Sequence, residues 1–149
     1  MKYLYSLAVA AVATAAPFTP ESILPDGMDA SLSVNPYTGE AGHARKGTVA
    51  ATLNNVARLN QLLLQEDTPE NQEEIQAILS AIDALIPSLQ AIGMFDFFEP
   101  TYWIGQGEQS GRVAVICLYF QHYPEKYTPD MKERLRLIFE NERPQVDLQ

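Results

Sequence analysis

The sequence predicts an all-α domain of about four amphipathic helices in a small bundle around a central apolar helix. Apolar residues recur at three- and four-residue steps over three long stretches, and residues 113–120 form one continuous apolar run without a convincing strand elsewhere to pair with. A length of 149 residues, with 46% of them hydrophobic, is sufficient for one domain with one core.

The first long helix is predicted over residues 48–65. Thr48 begins the run, and the apolar positions after it share one helical face, as expected of an amphipathic helix that packs on a core. The expected core face consists of Val49, Leu53, Val56, Leu59 and Leu63, and the expected outer face of Asn54, Asn55, Arg58 and Gln61.

The second helix is predicted to begin at Thr68-Pro69 and to stop at Gly93. Threonine is a good N-cap, proline is tolerated at the first helical position, and glycine commonly ends helices. The apolar phase continues across Pro87, so we expect a kink there and not two separate helices. The stripe expected to face the core is Ile75, Ile78, Ile82, Leu85, Leu89 and Ile92.

Residues 113–120, VAVICLYF, fit either a helix buried on all sides or a buried strand. A strand needs partners, so the central helix is the favoured interpretation, and an α+β fold with a buried strand at 113–120 is the alternative. Thr128-Pro129 repeats the capping pattern and begins a last amphipathic helix that is expected to end near Pro144.

The residues before the bundle divide into two segments. Residues 1–15 combine one lysine, an apolar stretch and a small-x-small pattern ending at Ala15, which indicates a cleaved secretory signal and a secreted or periplasmic protein. A cytoplasmic protein, or one that starts at Met28, is the alternative. Residues 16–47 are rich in proline and glycine and are expected to form an irregular arm, with a short strand only at 31–34, before a helical domain at 48–144.

Charge and composition exclude several classes of function. The formal charge is −9, and an acidic surface disfavours both nucleic acid and anionic membranes. The signal-like segment is short for a membrane span, so no stable insertion is expected. Cys117 is the only cysteine, and the two histidines, His43 and His122, are far apart without a ligand motif. No metal or cofactor is therefore predicted.

The loop TGEAGHARKGT, residues 38–48, is the first candidate site. It resembles a phosphate loop only in its glycine spacing, because Lys46 precedes Gly47 where a nucleotide-binding lysine would follow it. A weaker anion site at the helix start, using Arg45, Lys46 and Thr48, is the remaining hypothesis.

The second candidate site is the aromatic segment 93–111. Tyr102 and Trp103 beside Asp96 and Glu99 could bind a sugar, a peptide or another small ligand, and two carboxylates at the right separation could hydrolyse a glycosidic bond. The purely structural alternative is that Phe95, Phe98 and Trp103 fill the bundle while the acids face water.

The sequence thus favours a non-catalytic module that binds a protein or small-molecule ligand through the aromatic segment, the 36–48 loop, or both. The alternative is a small hydrolytic enzyme in which Asp96 and Glu99 act as acid and base in an aromatic cleft. A concave pocket that holds both carboxylates would favour the enzyme, whereas exposed apolar surface without them would favour binding.

Overall fold

The computed structural model describes residues 15–23, 31–34, 41–45, 47–104 and 110–141, and within them the protein is an all-α domain with one small β-hairpin. The predicted fold class is confirmed. The helices and strands follow the order α1 (Pro20–Ile23), β1 (Ser31–Val34), β2 (Ala41–Arg45), α2 (Gly47–Leu62), α3 (Pro69–Ala91), α4 (Met94–Phe97), α5 (Pro100–Ile104), α6 (Ser110–His122) and α7 (Pro129–Asn141), with a 3-10 turn at Pro124–Lys126.

Helix α6 is the central element of the bundle and contacts α2, α3 and α5. Val115 and Ile116 are fully buried, and Tyr119 and Phe120 are almost so. The apolar run at 113–120 is therefore a helix covered on several sides, and the alternative of a buried strand was wrong.

Helix α3 has the predicted limits. The Thr68 hydroxyl accepts a hydrogen bond from the Asn71 N–H at 3.2 Å, which caps the amino terminus, and the helix runs through Pro87 without interruption. Gly93 follows the carboxyl end with φ of 77°, a left-handed conformation that glycine adopts without steric cost. The buried stripe is Ile78, Ile82, Leu85, Ile86 and Leu89.

Helix α2 buries a different face from the predicted one. Val56 and Leu59 lie in the core as expected, but Leu53 is 58% exposed and Asn55 is completely buried. Asn55 can be buried because its amide is hydrogen bonded at both ends by the backbone of Phe18. Apolar periodicity alone cannot reveal a polar side chain that is buried against a distant backbone segment.

Residues 15–23, which we call the N-terminal strap, pack on α2 and end in the short helix α1. Pro20 is buried over the start of α2. Further along the arm, β1 and β2 pair antiparallel with a bulge between Leu32 and Val34. The strand at 31–34 is confirmed, whereas β2 was not predicted because its sequence, AGHAR, has low strand propensity.

Helices α2 and α6 approach closely at Gly111. A Cβ atom there would lie 2.7 Å from Asn60 Oδ1 and 3.0 Å from the carbonyl oxygen of Val56, and the Gly111 N–H donates to Asn60 Oδ1 at 2.9 Å. The close crossing holds the amino end of α6 against the middle of α2.

Helix α7 begins at the predicted Thr128-Pro129 cap, where the Thr128 hydroxyl accepts from the Met131 N–H. Met131 and Leu135 are buried, but Phe139 is about half exposed. None of the helices in the described ranges has the length and hydrophobicity needed to cross a membrane. The expectations for residues 1–14, for a start at Met28 and for a helix end near Pro144 lie outside those ranges.

Candidate functional site

Up to Ile104, the aromatic segment folds into the two short helices α4 and α5, which follow the turn at Gly93. The Phe98 N–H closes α4 by donating to the Met94 carbonyl at 2.9 Å, and Pro100 begins α5, where its missing N–H is not needed. This sharp connection places Phe98, Tyr102 and Trp103 on one side of the bundle, near α2 and α6.

Trp103 is held firmly within this segment. Its indole N–H donates to the Phe98 carbonyl at 2.9 Å, and its ring lies 5.8 Å from that of Phe95. Phe95 is buried and stacks on Tyr119 with ring centroids 4.0 Å apart. A hydrogen bond and a buried aromatic stack thus fix the orientation of the indole.

A cleft of about 210 Å³ opens on the outer side of Trp103. Two of its lining side chains, Phe98 and Tyr102, are 45% and 67% exposed, and the α2 residue Leu53 is exposed as well. The cleft is therefore mainly apolar and open to solvent. Its lining is Leu53, Phe98, Tyr102, Trp103 and Arg112.

Among these lining residues, Arg112 is the only cation. The other arginines in the described ranges each contact a carboxylate, whereas Arg112 contacts none that the structure describes. Those contacts pair Arg45 with Glu21, Arg58 with Glu74, Arg134 with Asp130, and Arg136 with Glu133 and Glu140.

The two acids predicted for this site do not line the cleft. Asp96 and Glu99 are both exposed on the same segment as Trp103, but the lining side chains do not include them. Burial, and then the charges of Asp96 and Glu125, raise the pKa of Tyr119 to about 12. The structure thus brings Tyr102 and Trp103 together with Arg112 and leaves the predicted carboxylate pair outside.

The residues of the first candidate site lie elsewhere. Arg45 forms an ion pair with Glu21 of the N-terminal strap, and Lys46 lies outside the described residues. Thr48 is buried, with 1% of its surface exposed, and its carbonyl accepts from the Thr52 hydroxyl at 2.9 Å. The cation predicted for the anion site is therefore paired within the chain, and the predicted hydroxyl belongs to a side chain that is covered from solvent.

Gly47 has a packing role that its position in a phosphate-loop-like glycine spacing did not indicate. A Cβ atom there would lie 2.5 Å from the Pro20 carbonyl oxygen and 2.9 Å from the Pro20 Cα, so a side chain would collide with the strap backbone. The glycine before Thr48 allows the strap to cross the start of α2.

Sequence reasoning missed Leu53 and Arg112 as cleft residues. Leu53 was placed in the core stripe by its apolar character. Arg112 carries a detectable signal, because it lies in the first turn of α6, where the helix dipole favours acids and disfavours cations. A base at that position indicates a role other than helix stabilisation.

The other reactive side chains that the structure describes do not assemble a further site. His122 Nε2 lies 2.8 Å from Asp83 Oδ1 at the surface, and burial raises the pKa of the Cys117 thiol. Within the described ranges, no three His, Cys, Asp or Glu side chains are grouped so that they could hold a metal ion.

Comparison with known proteins gives one match. The family model described as a domain of unknown function, DUF7709, matches residues 38–123, which is more than half of the chain. No curated protein and no solved structure matches the chain. The matched range includes β2, α2, α3 and α6, and with them every residue that lines the aromatic cleft. The chain therefore belongs to the DUF7709 family.

Proposed function

We propose that this protein is a non-catalytic interaction module whose aromatic cleft binds a protein segment or small molecule with an apolar side chain beside a carboxylate. The observation that carries the proposal is Arg112, which has no described carboxylate partner and lines a cleft whose other described lining residues are apolar or aromatic.

The chemistry of the cleft defines the ligand. Exposed rings and an exposed leucine lose contact with water when an apolar side chain packs on them, which is favourable in proportion to the area covered. A carboxylate beside that side chain can pair with Arg112, and an arginine flanked by apolar surface makes a stronger pair than one in open water. The net charge of −9 over the whole chain disfavours anions that lack an apolar anchor.

The position of the acids favours binding over hydrolysis. A general acid or base must reach the reacting group within hydrogen-bond distance, directly or through one water. Asp96 and Glu99 are exposed outside the cleft lining, so a ligand seated against Trp103 would not lie between them. The proposal is for this reason non-catalytic.

The fluorescence of Trp103, the only tryptophan, provides a direct test. N-acetylphenylalanine and N-acetylphenylalaninamide share one ring, and only the first carries a carboxylate. We expect saturable changes in Trp103 emission with both probes at millimolar concentration, and about two- to fivefold tighter binding of the acid, as expected for a partly exposed ion pair.

Two substitutions separate the cleft from other charge effects. Arg112→Gln should abolish the preference for the acid, whereas Arg134→Gln, which removes an equal charge on α7, should preserve it. Equal titrations of the wild type and Arg112→Gln with the acid would reject the assignment of Arg112, and no emission change with either probe would reject the cleft as a binding site.

We also propose that residues 1–15 are a secretory signal and that the protein is secreted or periplasmic. The support is the sequence pattern, with one lysine, an apolar stretch and small residues before Pro17. Mass spectrometry of the protein purified from its native host should find an amino terminus at Ala16. A mature chain that begins at Met1 or Met28 would contradict the proposal and favour the cytoplasmic alternative.

A further inference from the structure

The N-terminal strap is bound to α2 as a peptide segment that lacks regular secondary structure up to residue 19 and is helical over Pro20–Ile23. The Phe18 N–H donates to Asn55 Oδ1 at 2.8 Å, and Asn55 Nδ2 donates to the Phe18 carbonyl at 2.9 Å. The Asn55 amide therefore pairs with both polar groups of one peptide residue, as a neighbouring strand would. Asn55 has no exposed surface while the strap is in place, so a bound segment must satisfy its amide as Phe18 does.

Two further contacts select the residues that follow Phe18 along the strap. Pro20 lies over Gly47, where the absence of a side chain allows its backbone to pass. Glu21 pairs with Arg45 beside it. Together with Asn55, these contacts define a site for a segment with proline two residues, and an acid three residues, after the residue that Asn55 binds, where the proline begins a short helical turn.

The strap is not part of the hydrophobic core. The core cluster of the described residues begins at Val56, Val49 packs against it, and neither set includes a strap residue. The Phe18 side chain is 39% exposed, and a cavity of about 300 Å³ remains between the strap and α2. A segment held by the two Asn55 hydrogen bonds, one ion pair and the packing of Pro20 on Gly47, over an incompletely filled space, can leave without disrupting the bundle.

The binding surface and the bound segment also differ in their relation to the family. Arg45, Gly47 and Asn55 lie inside the matched range 38–123, whereas residues 15–23 precede it. The family domain thus contains the peptide-binding surface, and the segment that fills it comes from outside the domain.

We propose that α2 carries a peptide-binding site, that the N-terminal strap is its displaceable ligand within the same chain, and that a separate peptide of the same chemistry can replace it. The site is distinct from the aromatic cleft, because Asn55 and Leu53 have opposite exposure on α2. The proposal does not depend on the function proposed for the cleft.

The test uses the full chain with Phe18→Pro, because proline has no N–H for Asn55 Oδ1 to accept. The probe is a fluorescently labelled, acetylated and amidated peptide with the sequence of residues 15–23, followed by fluorescence anisotropy. The variant should bind the peptide at least about tenfold more tightly than the wild type, whose own strap competes at a high effective concentration.

Substitutions on the binding surface should weaken peptide binding, whereas Phe18→Pro in the strap should strengthen it. Adding Asn55→Leu to the Phe18→Pro chain should abolish peptide binding, and adding Gly47→Ala should weaken it because the new methyl group would meet the Pro20 carbonyl. A peptide carrying Phe18→Pro should not bind either variant or wild type. Peptide binding that persists with Asn55→Leu, or is absent from the Phe18→Pro chain while its helical circular dichroism is retained, overturns the proposal.

Hydrogen exchange of the wild type tests the same inference without any substitution. The Phe18 amide should exchange at least about a hundredfold faster than the amides of α6, since the strap opens alone and α6 opens only with the bundle. Equal protection at both places would show that the strap is not displaceable. Sedimentation should find a monomer, and a dimer that Phe18→Pro dissociates would assign the strap to a second copy and overturn its binding within one chain.

Discussion

Residues 38–48 and 93–111 both combine glycines with charged side chains, yet the described parts of the two segments have opposite structural roles. Arg45 and Gly47 of the first are covered by the N-terminal strap, through Glu21 and Pro20. The second presents Tyr102 to solvent beside Arg112, which has no carboxylate partner in the described part of the chain.

The difference shows what makes a basic side chain available to a ligand. Both arginines lie near the amino terminus of a helix in an acidic protein, but among the residues that the structure describes only Arg45 has an acid at hydrogen-bond distance. The two surfaces also rest on different foundations. The cleft is supported by the core through Phe95, whereas the strap lies outside the core cluster and is attached by the Asn55 hydrogen bonds, an ion pair and the packing of Pro20 on α2. Changes beneath the cleft should therefore affect global stability, and changes at the strap should act locally.

The largest effect is expected from Phe95→Ala. This ring is 3% exposed and supports both Trp103 and Tyr119, so its removal should lower the free energy of unfolding by about 3–5 kcal/mol in urea denaturation. Phe97→Ala is the matched control, because that neighbouring ring is 59% exposed and its loss should cost less than about 1 kcal/mol. Equal costs for the two variants would refute the view that the cleft is built on the core.

Raising the pH should destabilise the same buried aromatic stack beneath the cleft. The pKa of Tyr119 is raised to about 12, mainly by burial, from about 10 in the unfolded chain. The contribution of the buried Tyr119 hydroxyl to the free energy of unfolding is complete below pH ~10. It is lost as pH rises through ~12, because between these values only the unfolded state releases the proton. Unfolding free energies measured across it should fall by an additional ~2 kcal/mol in the wild type relative to Tyr119→Phe. Parallel pH curves for the two proteins would contradict the assignment.

A smaller effect is expected from Gly111→Ala at the crossing of α2 and α6. The added Cβ would press on Asn60 Oδ1 and the Val56 carbonyl, while alanine favours the helix by up to about 1 kcal/mol, so a net loss of about 1–2 kcal/mol is expected. In an Asn60→Ala background the loss should be reduced, because the nearest obstacle is then gone. A stabilised Gly111→Ala protein would mean that the crossing relaxes without cost.

Local signals in the sequence were sufficient for most of the bundle. Thr68-Pro69 and Thr128-Pro129 both begin helices, and the all-apolar run at 113–120 is the central helix. These features depend on neighbouring residues only, through capping and the burial of a continuous apolar surface. They can therefore be read from one sequence.

The errors have a common physical cause, since each depends on a contact between distant parts of the chain. Asn55 is buried because Phe18, 37 positions away, satisfies its amide, and this rotates Leu53 toward solvent. Arg112 joins the cleft because α6 crosses α2 at Gly111. Tyr102 and Trp103 could be selected from composition alone, but the separation of Asp96 and Glu99 from the cleft could not.

Acid should loosen the strap while leaving the cleft in place, and this is the smallest effect expected. The pKa of Glu21 is lowered by its own backbone N–H, by the side chain of Thr19 and by Arg45. A carboxylate with a lowered pKa stabilises its contacts above the ordinary value near 4.5 and loses that contribution as pH falls through the lowered value. The Phe18 amide, followed by NMR, should therefore exchange faster with water at acidic pH, relative to α6 amides, than the intrinsic rate predicts.

Glu21→Gln removes the titrating group and should show no such additional change, although Asn55 still binds the strap. If the wild type and Glu21→Gln respond identically to acid, the Arg45–Glu21 pair contributes nothing to strap docking. Arg45 and Arg112 would then differ only in their position.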